Sequence, residues 1–113
     1  MLKYYVLIAF VGIQFSQQND CKENGEFKKN FFECIDNIET YNYVINTTLE
    51  NRVTTKMYIS SLKDLSQYCE VDFTLIMNYT QKYNSREVYE KEKQVWLDWY
   101  NDNRCNNLKW KSN

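Results

Sequence analysis

Residues 26–45, EFKKNFFECIDNIETYNYVI, decide the fold. Phe27, Phe31, Cys34, Ile38, Tyr41 and Ile45 recur at alternating intervals of four and three, which puts their side chains along one stripe of an α-helix. Lys28, Lys29, Glu33, Asp36 and Glu39 fall on the opposite face. An apolar stripe of this kind must be buried against a partner. The cysteine in its middle implies an element close enough to cross-link to it. Either Asp20 with Glu23, or Asn24 ahead of Gly25 and Glu26, can cap the helix start by accepting its free N–H groups.

Toward the C-terminus the helix should fade near Ile45, because residues 46–55, NTTLENRVTT, are polar and rich in β-branched side chains. Tyr58, Leu62, Leu65 and Cys69 then make a second helical stripe. Past Cys69 the stripe slips: Phe73, Ile76 and Tyr83 continue it, while Val71 and Leu75 are displaced. Residues 56–83 therefore read either as one long helix or as two with a bend near 70–72. Asn84 and Glu87 are spaced as a capping box for a last helix over 85–103. There Val88, Val95 and Trp99 share one side, Tyr89, Trp96 and Tyr100 lie beside them, and Glu90, Lys91 and Lys93 form the polar face. Residues 106–113, NNLKWKSN, read as a tail with Leu108 and Trp110 as its apolar contacts. With 2 glycines and no proline in 113 residues, tight hairpin turns are scarce and a multi-strand sheet is disfavoured. The expected fold is all-α, a small disulfide-stapled bundle of three or four helices.

Upstream of the first helix, Lys3 precedes an apolar run from Tyr4 to Ile13, and the chain turns polar from Gln14. That order predicts a signal peptide over residues 1–16 and a single domain over 17–113. The run is too short to span a bilayer, which needs about 20 apolar residues. The four cysteines, Cys21, Cys34, Cys69 and Cys105, all follow the leader, and an even count behind an export signal predicts two disulfides. If the first two helices form an antiparallel pair, Cys34 and Cys69 lie at comparable depths, about 15 and 20 Å from the connecting turn. Cys34–Cys69 is then one expected pair, and Cys21–Cys105 is the other, provided that the middle segment bends and the bundle has four short helices. Asn46-Thr47-Thr48 and Asn78-Tyr79-Thr80 are N-glycosylation sequons, with Asn46 in the loop and Asn78 within expected helix. The chain is thus expected to be a secreted, extracellular glycoprotein.

Composition narrows the chemistry. There is no histidine, so nucleophile–histidine catalysis is excluded as normally built, and zinc sites lose their commonest partner to cysteine. The cysteines are too widely spaced for a redox or zinc pair. A net charge of −1, with 14 basic and 15 acidic side chains interspersed, offers no field for nucleic acid or an anionic membrane. No cofactor, metal or enzymatic activity is expected. The unusual feature is 17% aromatic residues, including 10 Tyr and 3 Trp. Tyr and Trp suit surfaces that are partly buried and partly wet, so Trp96, Trp99, Tyr100 and Trp110 become candidates for a contact surface with an extracellular protein. The leading expectation is a non-enzymatic protein-binding module or ligand. The second is a carrier that holds a small apolar molecule in an inter-helix cavity of about 300 Å³ or more, lined by residues such as Phe31, Ile38, Leu65 and Phe73.

The segments FFECIDNI (31–38) and LKDLSQYCE (62–70), behind the leader MLKYYVLIAFVGI (1–13), resemble small secreted cysteine-rich helical proteins of the uncharacterised families of nematodes. Those domains usually carry further cysteines beyond the position of Cys69, where this chain has VDFTLIMNY. The resemblance implies export and a cysteine-linked helical fold, and brings no functional residues with it.

Overall fold

A computed structural model describes residues 21–44 and 52–111. The leader over 1–16 and the sequon at Asn46 lie outside the described residues. Three α-helices are described, α1 (Gly25–Tyr43), α2 (Thr55–Ser66) and α3 (Arg86–Asn103), with a single 3-10 turn at Phe73–Ile76 and no strand among the described residues. The protein is an all-α bundle.

Asn24 is the cap of α1, its Oδ1 accepting from the N–H groups of Glu26 and Phe27 at 3.0 and 3.1 Å. The stripe buries as expected: Phe27, Phe31, Cys34 and Ile38 are in the core, joined by Ile35. Ile45 lies outside the described residues. Thr54 starts α2 by accepting from Met57 N–H, and Tyr58, Leu62 and Leu65 are wholly buried. The last helix is capped by Ser85, whose Oγ accepts from Val88 N–H at 3.2 Å, and not by Asn84.

Contacts along the helices define the topology. Tyr41, near the end of α1, hydrogen-bonds Thr55 at the start of α2, and Phe27 at the start of α1 meets Tyr68 just past the end of α2 edge-to-face at 4.9 Å. The pair is an antiparallel hairpin. Glu39 near the end of α1 accepts from Lys93 near the start of α3, and Cys21, just before α1, is bonded to Cys105, just after α3. So α3 is also antiparallel to α1, which makes α2 and α3 parallel to each other. The chain must therefore return the length of the bundle between Ser66 and Arg86.

That return is where expectation and structure part. Residues 56–83 form neither one long helix nor two. After Ser66 the backbone turns, and residues 67–85 run beside α3 as irregular chain with the one 3-10 turn. Two Asx turns explain the lost helix. Asp72 Oδ1 accepts from the N–H and Oγ1 of Thr74 at 3.0 and 2.5 Å. Asn78 Oδ1 likewise accepts from the N–H and Oγ1 of Thr80 at 3.0 and 2.8 Å. Such side chains offer the backbone an alternative to helical bonding. Gln81 then takes a left-handed φ of 60°, with its carbonyl held by Tyr58 Oη–H at 2.7 Å. Of the side chains expected to continue the α2 stripe, Ile76 and Tyr83 reach the core and Phe73 stays at the surface.

The cysteines split. Cys21 and Cys105 form a disulfide across 84 residues, with Cα atoms 5.4 Å apart, as expected. Cys34 and Cys69 are free and buried, so the second expected bridge is not present. Its depth argument took α2 to run through Cys69. The helix ends at Ser66, and Cys69 sits in the following turn with its Sγ–H directed at Leu65 O, 3.5 Å away. Burial pushes both thiols up to about 12, so neither ionises near neutral pH. Residues 106–111 are not a loose tail. Leu108 O accepts from Asn24 Nδ2 at 2.9 Å, and the Trp110 ring packs on Phe27 and Tyr68.

Candidate binding surface

The face expected of α3 is rotated in the structure. Tyr89, Glu92, Trp96 and Tyr100, at intervals of three, four and four, are its buried residues, while Val95 is exposed. A carboxylate thus occupies a position in the apolar stripe. Glu92 is only 8% exposed, and both its oxygens are engaged. Oε1 accepts from Asp72 N–H at 2.8 Å and Oε2 from the Tyr83 hydroxyl at 2.5 Å. Its role follows from the irregular return segment: Asp72 N–H has no helical acceptor, and a buried amide without a partner is costly. Burial raises the Glu92 pKa above the ordinary carboxylate value, and its two donors offset part of that rise. Burial and the carboxylate together push the Tyr83 hydroxyl far upward.

A second carboxylate joins α1 to α3. Glu39 Oε1 accepts from Lys93 Nζ at 2.9 Å and from Tyr89 Oη–H at 3.0 Å. The lysine bond comes first among the causes that hold the Glu39 pKa below its ordinary value. Glu39, Tyr89 and Lys93 are a charge-assisted clasp, and Glu92, Tyr83 and Asp72 are a nearly dry one.

Other side chains hold the return segment too. Trp96 Nε1–H donates to Glu70 O at 3.1 Å. Asn42 Oδ1 accepts from Tyr83 N–H at 2.9 Å, and Asn78 Nδ2 donates to Lys82 O at 2.6 Å. On this tied-down backbone three large apolar residues face outward among polar ones: Phe73 is partly exposed, Met77 is 78% exposed and Tyr79 is fully exposed. An open groove of about 420 Å³ lies between the return segment and α3, lined by Glu70, Asp72, Leu75, Val88, Lys91, Glu92 and Val95.

The aromatic residues expected at an interface are placed differently. Trp96 is 0% exposed and Tyr100 is buried, while Trp99 and Trp110 are half-buried against the core. Trp99 stacks on Phe31 at 5.7 Å, so these rings fill the interior of a domain short of aliphatic side chains. Trp110 also borders a polar groove of about 210 Å³ with Cys34, Asn37, Ser61 and Asp64. Phe31, Ile38 and Leu65, expected around a carrier cavity, are fully buried in the common core, and Phe73 is at the surface. Asn78 lies in a turn rather than a helix, and its amide also approaches Asn84 Oδ1 at 3.4 Å.

Among the described residues no group of three His, Cys, Asp or Glu side chains could hold a metal ion, and no helix is long and apolar enough to cross a membrane. Set against protein-family models, curated proteins and solved structures, the chain matches none.

Sequence reasoning missed Glu92 and the Phe73–Met77–Tyr79 surface. The first had a signal. Tyr89, Trp96 and Tyr100 define a stripe, and Glu92 falls on it at helical spacing. The second had one as well, since Asp72-x-Thr74 and Asn78-x-Thr80 are both Asx-turn sequences that break the helix and turn its apolar residues outward.

Proposed function

We propose that this protein is a secreted, non-enzymatic binding module that engages another extracellular protein through the return segment. The observation that carries this reading is the exposure of Met77 and Tyr79 on backbone fastened by Tyr58, Asn42 and the Asn78 turn. A large exposed side chain on pre-organised backbone loses little conformational entropy on binding, which favours contact. Tyr and Met are also among the residues enriched in protein interfaces. The non-enzymatic part rests on the absence of histidine from the chain and on Glu92, whose oxygens are both taken up in holding the fold.

Export is supported by the apolar leader and by a disulfide that needs an oxidising compartment. The resemblance to secreted cysteine-rich helical families agrees with it. Asn46 is the first candidate for a glycan. Asn78 is the second, and a glycan there replaces one amide hydrogen, the weak approach to Asn84 being the one that yields. The test compares the wild type with a Met77→Ser/Tyr79→Ser double variant as baits in extracellular fluid. Both positions are exposed, so the melting temperature should stay the same while specific capture is lost. Identical captured proteins from both baits would reject the surface.

A further inference from the structure

The groove beside α3 carries an inference independent of the Met77–Tyr79 surface. Its walls are mostly apolar, from Leu75, Val88 and Val95, and Val95 is 48% exposed although it is a valine at mid-helix. At about 420 Å³ the space falls within the range of small-molecule clefts, roughly 300–1,000 Å³. Its charged groups are three acids against one cation, Lys91. Glu70, Asp72 and Glu92 all line it, and among the described residues none of them is ion-paired. The cation, Lys91, is drawn to Glu87 at 3.6 Å, one turn back along α3. An apolar trough with uncompensated carboxylates is complementary to a molecule with an apolar body and a cationic head.

We infer that this groove binds small primary amines with an apolar body, the body lying against Leu75, Val88 and Val95 and the ammonium reaching Glu70 and Asp72. Charge favours an amine over a purely apolar molecule: a neutral ligand would fill the same trough and leave Glu70 and Asp72 without a counter-charge. The Asp72 carboxylate is already held by the N–H and Oγ1–H of Thr74, so one of the acidic groups is in place before the ligand arrives.

The experiment is a titration of the ¹⁵N-labelled, disulfide-intact protein at neutral pH with hexylamine, 1-hexanol and a capped Val-Lys-Val tripeptide, read by amide shifts. Hexylamine should give saturable shifts confined to residues 70–75 and 88–95, with a Kd in the millimolar range expected of about seven heavy atoms. Hexanol should bind about tenfold more weakly, as the loss of a charge-assisted contact implies. Val95→Trp, at an exposed position that tolerates the larger ring, should fill the trough and abolish the shifts. Glu70→Gln should weaken hexylamine about threefold, the size expected of one exposed charge, and leave hexanol unchanged. Equal affinity for hexanol would overturn the amine in favour of an apolar occupant. A tripeptide binding about tenfold tighter than hexylamine would overturn it in favour of a protein segment. No saturable shift below about 10 mM, or shifts that survive Val95→Trp, would mean that the groove is not a site.

Discussion

Two elements cover α1 and α3, and they do so by opposite means. On one side α2 packs along α1, the pair of helices whose backbones come closest, with Tyr58, Leu62 and Leu65 against Phe31, Cys34 and Ile38. A helix satisfies its own N–H and C=O groups, so this side needs little more than shape and apolar area. On the other side residues 67–85 lie along α3 with only short turn bonds of their own, such as Leu75 N–H to Asp72 O and Gln81 N–H to Asn78 O, and side chains from elsewhere complete the rest. Trp96, Glu92, Asn42 and Tyr58 each supply one partner. Irregular backbone can be buried only where the surrounding residues complete its hydrogen bonds. That is why α3 buries a glutamate while α2 buries leucines, and why the polar chemistry of the molecule gathers on one side.

The largest expected effect joins both sides. The Cys21–Cys105 bridge spans 84 residues and ties the start of α1 to the end of α3. Replacing both by serine should lower stability by up to about 4.5 kcal/mol in the chain-entropy account, read as a fall in the urea midpoint. Thiol titration of the unreduced, denatured wild type should find the two sulfhydryls of Cys34 and Cys69. None would restore a second bridge.

Next comes Trp96→Ala, which removes a ring of 0% exposure and the donor to Glu70 O together. It should cost about 3–5 kcal/mol. Leu62→Ala on the helical side should cost about 2–5 kcal/mol from the cavity alone. The contrast is in hydrogen exchange. Trp96→Ala should expose the amides of 70–84 first, whereas Leu62→Ala should loosen α1 and α2 together. Equal patterns would erase the distinction between the two sides.

Smaller, and more diagnostic, is Glu92→Gln. It keeps the shape but trades an ionisable acceptor pair for one acceptor and one donor, so one of the bonds to Asp72 N–H and Tyr83 Oη–H is lost. The expected cost is about 2 kcal/mol, confined in hydrogen exchange to the return segment. If protection across 70–84 is unchanged, Glu92 is not what holds it.

The legibility of the sequence follows the same division. The α1 stripe and the α2 stripe through Leu65 could be read directly, because periodicity reports helices and their buried faces. The Cys21–Cys105 pairing was expected from four short helices, and it forms with three described helices and an irregular return instead. The return segment could not be read that way. Ile76 and Tyr83 are buried at spacings that mimic a helix, yet each arrives by a turn set by Asp72 and Asn78. On α3, Glu92 was hidden by its charge, and Val88 and Val95 drew the apolar face toward what is an open groove. The candidate interface failed for a related reason. Composition alone does not tell a ring on the surface from one in the core, and Trp96 and Tyr100 are core. Tyr79 was legible only as part of a sequon, although the same Asn-x-Thr spacing makes the turn that exposes it.

The finest expected effect is in pH, where the two clasps have opposite signs. The folded pKa of Glu92 is raised, chiefly by burial, so its contribution is fully present below the unfolded value of about 4.3 and is lost as pH rises through the folded value. Glu39 has a lowered folded pKa, with the Lys93 bond as first cause. Its contribution is present above about 4.3 and is lost as pH falls through the lowered value. Acidifying from neutral should therefore strengthen the Glu92 clasp before it weakens the Glu39 clasp. Urea midpoints taken from pH 7 to 3 should show the wild type gaining on Glu92→Gln as pH falls toward 5, and losing its advantage over Glu39→Gln below about 4. The Glu39 effect is the smaller of the two because solvent and salt screen a pair that is only partly buried. Parallel curves for the wild type and Glu92→Gln would mean that the buried carboxylate titrates as it does in the unfolded chain. The dry clasp, and the distinction it draws between the two sides of the bundle, would then be lost.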